Sequence, residues 1–290
     1  MEHRVKLGFM EFHTLIAAEL LQGLLGEPRL AVVDCRFDLM NPDAGRQAYL
    51  RGHIPGARYA DLNRDLSAPV GSGTGRHPLP TPEAFASWLG AAGIGNDAQI
   101  VAYDDANGSI AARLWWMLRW VGHDAIAVLD GGLKAWIARG GALQPGGLEF
   151  QGRAFTPRTD PRAAVSTSEV ERTLEDPAAL LVDARAQERY AGTIEPIDSV
   201  AGHVPGAVNH PFTANLDAEG RFLPAGEIRS RWHRRLGGKE PKNVIAMCGS
   251  GVTACHNLLS LEVAGMSGAK LYSGSWSEWI RDPKRPVARS

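Results

Sequence analysis

A cysteine followed by Gly-Ser-Gly closes a short apolar run in the segment NVIAMCGSGVTACHN, residues 243–257. Val244 to Met247 suit a strand, and residues 252–259 suit a helix. Cys248 therefore falls at the carboxyl end of a strand, the edge of an α/β sheet where ligands gather. The glycines let the backbone curl so that successive N–H groups point at one spot, and the helix start adds partial positive charge. Such a place favours a thiolate, and it would stabilise an anion or an added sulfur bound there. Gly249, Gly251, Val252 and Thr253 are the candidate cradle and substrate-binding residues. A purely structural thiol fits less well, because Gly-Ser-Gly packs nothing against it. Cys35, at the end of another apolar run, and Cys255, inside the helical stretch, are read as structural or incidental.

The elements that must position this loop recur. AVVDCRF (31–37) matches LLVDARA (180–186), and GHIPGA (52–57) matches GHVPGA (202–207). The run QIVAYDDANGSIAARLWWML (99–118) matches NVIAMCGSGVTACHNLLSL (243–261), and VLDGGLKAW (128–136) matches LYSGSWSEW (271–279). Four blocks in one order imply two homologous units. Residues 10–140 are expected to form the first domain, the Gly- and Pro-rich stretch 141–164 a linker, and 165–285 the second domain. Short β-branched runs alternate with amphipathic helical stretches, which argues for parallel sheets flanked by helices. TPEAFASWLGAAGI offers a Thr before Pro82 as a helix start. SIAARLWWMLRWVGH is apolar at helical spacing, with Trp115 and Trp116 assigned to packing between the halves. The first half carries Asp104 where the second carries Cys248, so it is expected to be inactive, leaving one site near the junction of the halves.

Of 290 residues, 44% are hydrophobic and 22% charged, enough for sizeable cores. A formal net charge of -1 gives no nucleic-acid footprint, and the basic run RSRWHRR (229–235) reads as a solvated helix face. Three cysteines without a CxxC fit neither a disulfide framework nor a structural zinc site. The N-terminal stretch lacks an apolar h-region, and no run reaches the length of a membrane span. These features set the expectation of a soluble, cytoplasmic protein with no metal, no organic cofactor, and neither nucleic-acid nor membrane partners.

The paired blocks, with VLDGG, GSWSEW and above all the loop CGSGVTA, resemble tandem rhodanese domains and in particular the 3-mercaptopyruvate sulfurtransferases. That resemblance covers about residues 10–285. It implies an α/β fold of two rhodanese-like domains, each a parallel sheet flanked by helices, and an enzyme that moves a sulfane sulfur. Cys248 would take sulfur from 3-mercaptopyruvate as a persulfide and pass it to cyanide, a small thiol or a thioredoxin-like protein. Ser250 would hydrogen-bond a carbonyl or relay a proton, within a Ser–His–Asp arrangement matched to His53 and Asp43. One substrate-binding arginine matches Arg189. A second is expected in the segment that reads Glu195-Pro196-Ile197-Asp198, where Ile197 takes its place. Thiosulfate sulfurtransferases resemble one another in a cationic loop, whereas Gly249 and Ser250 are neutral.

Thiosulfate:cyanide sulfur transfer is the alternative reading, and a non-enzymatic persulfide carrier the next. A cysteine phosphatase is disfavoured, since six residues after Cys248 stands Ala254, not an arginine.

Overall fold

A computed structural model describes residues 11–290. Residues 1–10, which hold the expected start of the first domain and the stretch read for an h-region, lie outside them. The first half runs β1 (Leu15–Ile16), α1 (Ala18–Leu24), β2 (Leu30–Asp34), α2 (Ala44–Arg51), β3 (Arg58–Tyr59), α3 (Pro82–Ala91), β4 (Gln99–Tyr103), α4 (Ala111–Trp120), β5 (Ile126–Leu129) and α5 (Gly132–Ala138). The second runs β6 (Ala164–Val165), α6 (Thr167–Thr173), β7 (Leu180–Asp183), α7 (Gln187–Ala191), β8 (Val208–Asn209), α8 (Ala225–Leu236), β9 (Val244–Met247), α9 (Ala254–Val263), β10 (Lys270–Tyr272) and α10 (Ser275–Trp279). Each forms a five-stranded, wholly parallel sheet. The strand order β1-β5-β4-β2-β3 is repeated as β6-β10-β9-β7-β8. The two-unit α/β architecture expected from the repeat is the observed one.

Local chemistry explains the elements. The central strands β4 (QIVAY) and β9 (VIAM) are buried throughout, as strands covered on both faces must be. Thr81 caps α3 by accepting from the Ala84 N–H at 3.2 Å, with Pro82 in the first turn. Ser166 and Glu169 close a reciprocal capping box on α6. The recurring Asp-x-Arg is a staple. Arg36 donates to Asp34 and to the Gly52 carbonyl, and Arg185 donates to Asp183 and to the Gly202 carbonyl. It ties the end of a central strand to the Gly-His-x-Pro-Gly turn in each half.

One apolar core spans both halves, and each half has a second cluster of its own. Every residue of α4 except Arg119 is buried. Trp115, Trp116 and Leu118 belong to the same cluster as Cys255, Leu258 and Leu259 of α9. The Trp pair thus packs at the junction, as expected. The stretch expected to be a linker is laid along the first half. Gln144 pairs with His53 as an antiparallel bridge, Arg58 lies over the Phe150 ring, and the Arg153 and Arg158 N–H groups donate to the Gly90 and Val121 carbonyls. Its glycines and prolines spell an irregular path with few side chains to bury, and backbone bonds hold it in place.

At the end of β4, Asp104 fills its own loop. Its carboxylate accepts from the N–H groups of Ala106, Gly108, Ile110 and Ala111 at 2.8–2.9 Å. The first half therefore carries a built-in anion where the second carries a thiol. Replacing Asp104 by Ala leaves at least the buried Gly108 and Ala111 donors unpaired. Urea denaturation should show a loss of about 3 kcal/mol or more.

Candidate active site

Cys248 directly follows β9, and the chain turns at Gly249-Ser250-Gly251 into α9. The Gly251 N–H donates to Cys248 Sγ at 3.2 Å, the first member of the expected cradle. Gly251 has a left-handed backbone (φ +77°), and a Cβ there would run into the Ser273 carbonyl, so the turn is open only to glycine. The loop is braced from α10. The Cys248 N–H donates to Ser275 Oγ, while the Cys248 and Gly249 carbonyls accept from Trp276 and Ser277 N–H. On its other side the Gly251 carbonyl accepts from Arg113 Nη1 at 3.0 Å and from the Cys255 thiol at 3.4 Å. Cys255 is fully buried, which pushes its thiol up to about 12, and burial likewise raises Cys35. Neither is a nucleophile in these surroundings.

The loop faces a cavity of about 220 Å³ lined by Phe37, Leu39, Arg76, His77, Arg189 and Ile197 together with Cys248, Gly249, Ser250, Val252 and Thr253. Cys248, Ser250, Arg189 and the loop residues singled out in the sequence are thus brought together.

His53 and Asp43 are not, and this corrects the expected Ser–His–Asp grouping. His53 is fully buried, stacked on Tyr49 with ring centroids 4.0 Å apart, and its Nδ1 pairs with the Tyr49 carbonyl. His203 makes the same stack on Tyr190. The Gly-His turn thus holds its histidine as a packing piece in both halves. Asp43 lies exposed at the start of α2, away from the cavity.

The histidine that reaches Ser250 is His77. Its Nδ1 lies 2.8 Å from Ser250 Oγ, across the junction between the halves. It rides on the Gly-rich segment 71–77, which docks on α10. The Gly75 N–H donates to Glu278, the Arg76 N–H to Ser277 Oγ, and Arg281 donates to the Thr74 carbonyl. Arg113 donates to the His77 carbonyl at 3.1 Å. Among the described residues no carboxylate hydrogen-bonds His77, so the grouping is a pair, not a triad.

A sequence signal for this exists. Gly75-Arg76-His77 recurs as Gly220-Arg221-Phe222. The second copy docks reciprocally on the first half, with the Phe222 N–H donating to Asp130. The His-for-Phe exchange accompanies the Cys-for-Asp exchange in the loops.

The neutral loop does not make a neutral site. A methyl group built on Gly249 would lie 2.9 Å from Arg76 Nη2 and 3.5 Å from both Nη atoms of Arg189. Arg189 is held by Glu195 and by Asp198, and Asp198 also pairs with Arg76. Arg185 extends the network from Glu195 to Asp183. Three guanidiniums face three carboxylates, so the network is balanced in charge.

Similarity to known proteins points the same way. Rhodanese-like domain models match residues 17–139 and 166–282. A Pseudomonas aeruginosa protein named "Probable 3-mercaptopyruvate sulfurtransferase" is 50% identical, over 94% of this chain and 97% of that protein. "Thiosulfate/3-mercaptopyruvate sulfurtransferase 1, mitochondrial" of Arabidopsis thaliana is 34% identical over 94% of this chain and 77% of its own length. Among solved structures, "3-mercaptopyruvate sulfurtransferase from Leishmania major" superposes with a TM-score of 0.81 at 32% identity, over 93% of this chain and 75% of that one. SseA from Escherichia coli, a 3-mercaptopyruvate sulfotransferase, superposes with a TM-score of 0.79 at 32% identity, over 92% of this chain and all of that one. Among the described residues no helix is long and apolar enough to cross a membrane.

Burial, with Arg113 and Arg76 nearby, lowers His77 to about 3. Burial also lowers His256 to about 3 and His210 to about 4. All three are neutral at pH 7. In the unfolded chain they titrate near the ordinary histidine value of about 6.5. Between about pH 6.5 and 4 the unfolded state therefore binds more protons, and stability falls as pH falls. Asp65, raised by burial to about 6, works in the opposite sense. Thermal melts from pH 7 to pH 5 should show a falling Tm. His77→Asn should flatten that slope by up to about 1.4 kcal/mol per pH unit.

Proposed function

The chain belongs to the rhodanese family and is a sulfurtransferase enzyme, and on that premise we propose that its donor is 3-mercaptopyruvate, with Cys248 as the sulfur acceptor. The observation that carries this reading is the Ser250–His77 pair beside the thiol. Thiosulfate leaves as sulfite and needs no proton donor at carbon or oxygen. Mercaptopyruvate leaves as an enolate, whose oxygen needs a hydrogen bond as charge develops on it.

The Cys248 thiolate attacks the thiol sulfur of the donor. The S–S bond forms as the C–S bond breaks, and the electron pair passes into the three-carbon unit as pyruvate enolate. The sulfur's proton leaves the acidic persulfide and the enolate takes one up at carbon, so Cys248 persulfide and pyruvate result. The Gly251 N–H is aimed at Sγ, and the neighbouring N–H groups at the start of α9 favour the extra sulfur's negative charge. The arrangement around Asp104 shows how many donors such a loop can converge on one anion. His77, neutral at pH 7, is a poor acid. Its role here is to hold the Ser250 hydroxyl by Nδ1, so that Ser250 donates its own hydrogen to the enolate oxygen. A thiol or cyanide then attacks the outer sulfur and frees the Cys248 thiolate; a small thiol or a thioredoxin-like protein is the proposed acceptor.

Charge balance in the arginine network favours a monoanionic donor over a dianion. Thiosulfate is the second reading, supported by the two guanidiniums over Gly249 and by the double name of the Arabidopsis relative. Steady-state kinetics with both donors on one preparation decides between them. A kcat/KM in favour of thiosulfate removes the mercaptopyruvate reading. Cys248→Ser should abolish transfer from either donor while leaving the melt unchanged. Ser250→Ala should lower kcat with mercaptopyruvate about a hundredfold and leave thiosulfate turnover near wild type.

A further inference from the structure

The resemblance leaves a gap, because Ile197 stands where a second carboxylate-binding arginine is expected. We propose that Arg76, delivered from the first half, supplies that guanidinium, so that Arg76 and Arg189 together bind the carboxylate of the donor. This rests on the reading of the donor as 3-mercaptopyruvate.

The geometry is that of a two-sided clamp. Asp198 is nearly buried, and its two oxygens divide between the arginines, Oδ1 to Arg76 Nη1 and Oδ2 to Arg189 Nη2. Glu195 takes Arg189 Nε and Nη2, and it accepts from the Ile197 and Asp198 N–H groups, which fixes the turn that carries Asp198. Each guanidinium is thus oriented by carboxylates through some of its nitrogens. The buried Arg76 Nε makes no hydrogen bond to the protein among the described residues, and neither do Arg76 Nη2 and Arg189 Nη1. Both approach the Gly249 face of the cavity that holds Cys248. A carboxylate there would accept from one N–H on each side, with its ketone and sulfur extending towards Ser250 and Cys248. Gly249 is what leaves the room, since a Cβ would crowd Arg76 Nη2. Ile197 lines the same cavity but offers only apolar surface. The backbone of Arg76 is fixed independently of its side chain by its N–H bond to Ser277 Oγ.

The test is steady-state kinetics of the full chain with 3-mercaptopyruvate and thiosulfate as donors and 2-mercaptoethanol, an uncharged thiol, as acceptor. Arg76→Ala should raise the KM for 3-mercaptopyruvate about ten- to a hundredfold. The KM for 2-mercaptoethanol should stay at the wild-type value. Arg76→Lys keeps Asp198 paired but has no second nitrogen to fork, so it too should raise the donor KM. Adding Ile197→Arg to Arg76→Ala should restore most of the loss. A wild-type donor KM in Arg76→Lys overturns the clamp, as does a KM for 2-mercaptoethanol that rises in step with the donor KM. Arg76→Lys also carries the test should Arg76→Ala not fold. If the wild-type enzyme turns over thiosulfate but not 3-mercaptopyruvate, the donor reading fails by itself. The clamp then stands as an anion clamp if Arg76→Lys raises the KM for thiosulfate, and falls if it does not.

Discussion

Arg113 rises from α4 of the first half and donates to the carbonyls of Leu66, His77 and Gly251. It is fully buried, and burial draws its guanidinium below the ordinary range. A cation in that position is costly unless its N–H groups are met. Three carbonyls from three separate segments meet its Nη1 and Nη2, leaving Nε without a partner among the described residues, so those segments are held in register with one another. One is the Cys248 loop of the second half; another is the stretch that carries Arg76 and His77. Remove the guanidinium and two buried carbonyls that flank Ser250 lose their shared donor. Arg113 thus fixes the Ser250 hydroxyl and the His77 imidazole from one side, while α10 braces the thiol loop and the His77 segment from the other.

The pseudo-symmetry of the halves makes the division of roles readable. Both loops follow a central strand, both curl through glycines, and each is met by a Gly-Arg-aromatic segment from the opposite half. In one, the Asp104 carboxylate takes four of the loop's N–H groups for itself. In the other, Cys248 leaves the cradle partly open, and His77 stands where the first half is met by Phe222. The buried His53 and His203 and the Asp34–Arg36 and Asp183–Arg185 staples are the same in both halves, which marks them as parts of the scaffold.

Much of this was legible in the chain. The strand–thiol–glycine–helix pattern put Cys248 at the loop after a central strand, where it lies, and the fourfold block repeat pointed to the two parallel sheets. Arg189 and the loop residues were found by matching short motifs. What stayed hidden was whatever depends on the packing of one half against the other. His77 and Ser250 are 173 residues apart, and no periodicity links them. His53 drew attention because it sits in a recurrent motif, yet its recurrence as His203 was the sign of a packing role. Judging the loop neutral was correct for Gly249 and Ser250 and misleading for the site, since its cations arrive from α7 and from the segment before α3. The apolar Ile197 could be read as a lost function only while the other half's contribution was out of view.

The shared core also has a consequence for biosynthesis. α4 is apolar nearly all round, and its outer face, with Trp115 and Trp116, is covered by α9, which lies more than a hundred residues later in the chain. A ribosome releases the first half with that face bare, and it stays so until residues 254–263 emerge and dock. During that interval the nascent chain displays a tryptophan-rich surface of the kind that chaperones recognise and that drives aggregation. Cys248 is made after that face, so it emerges with a partner surface already waiting to enclose it.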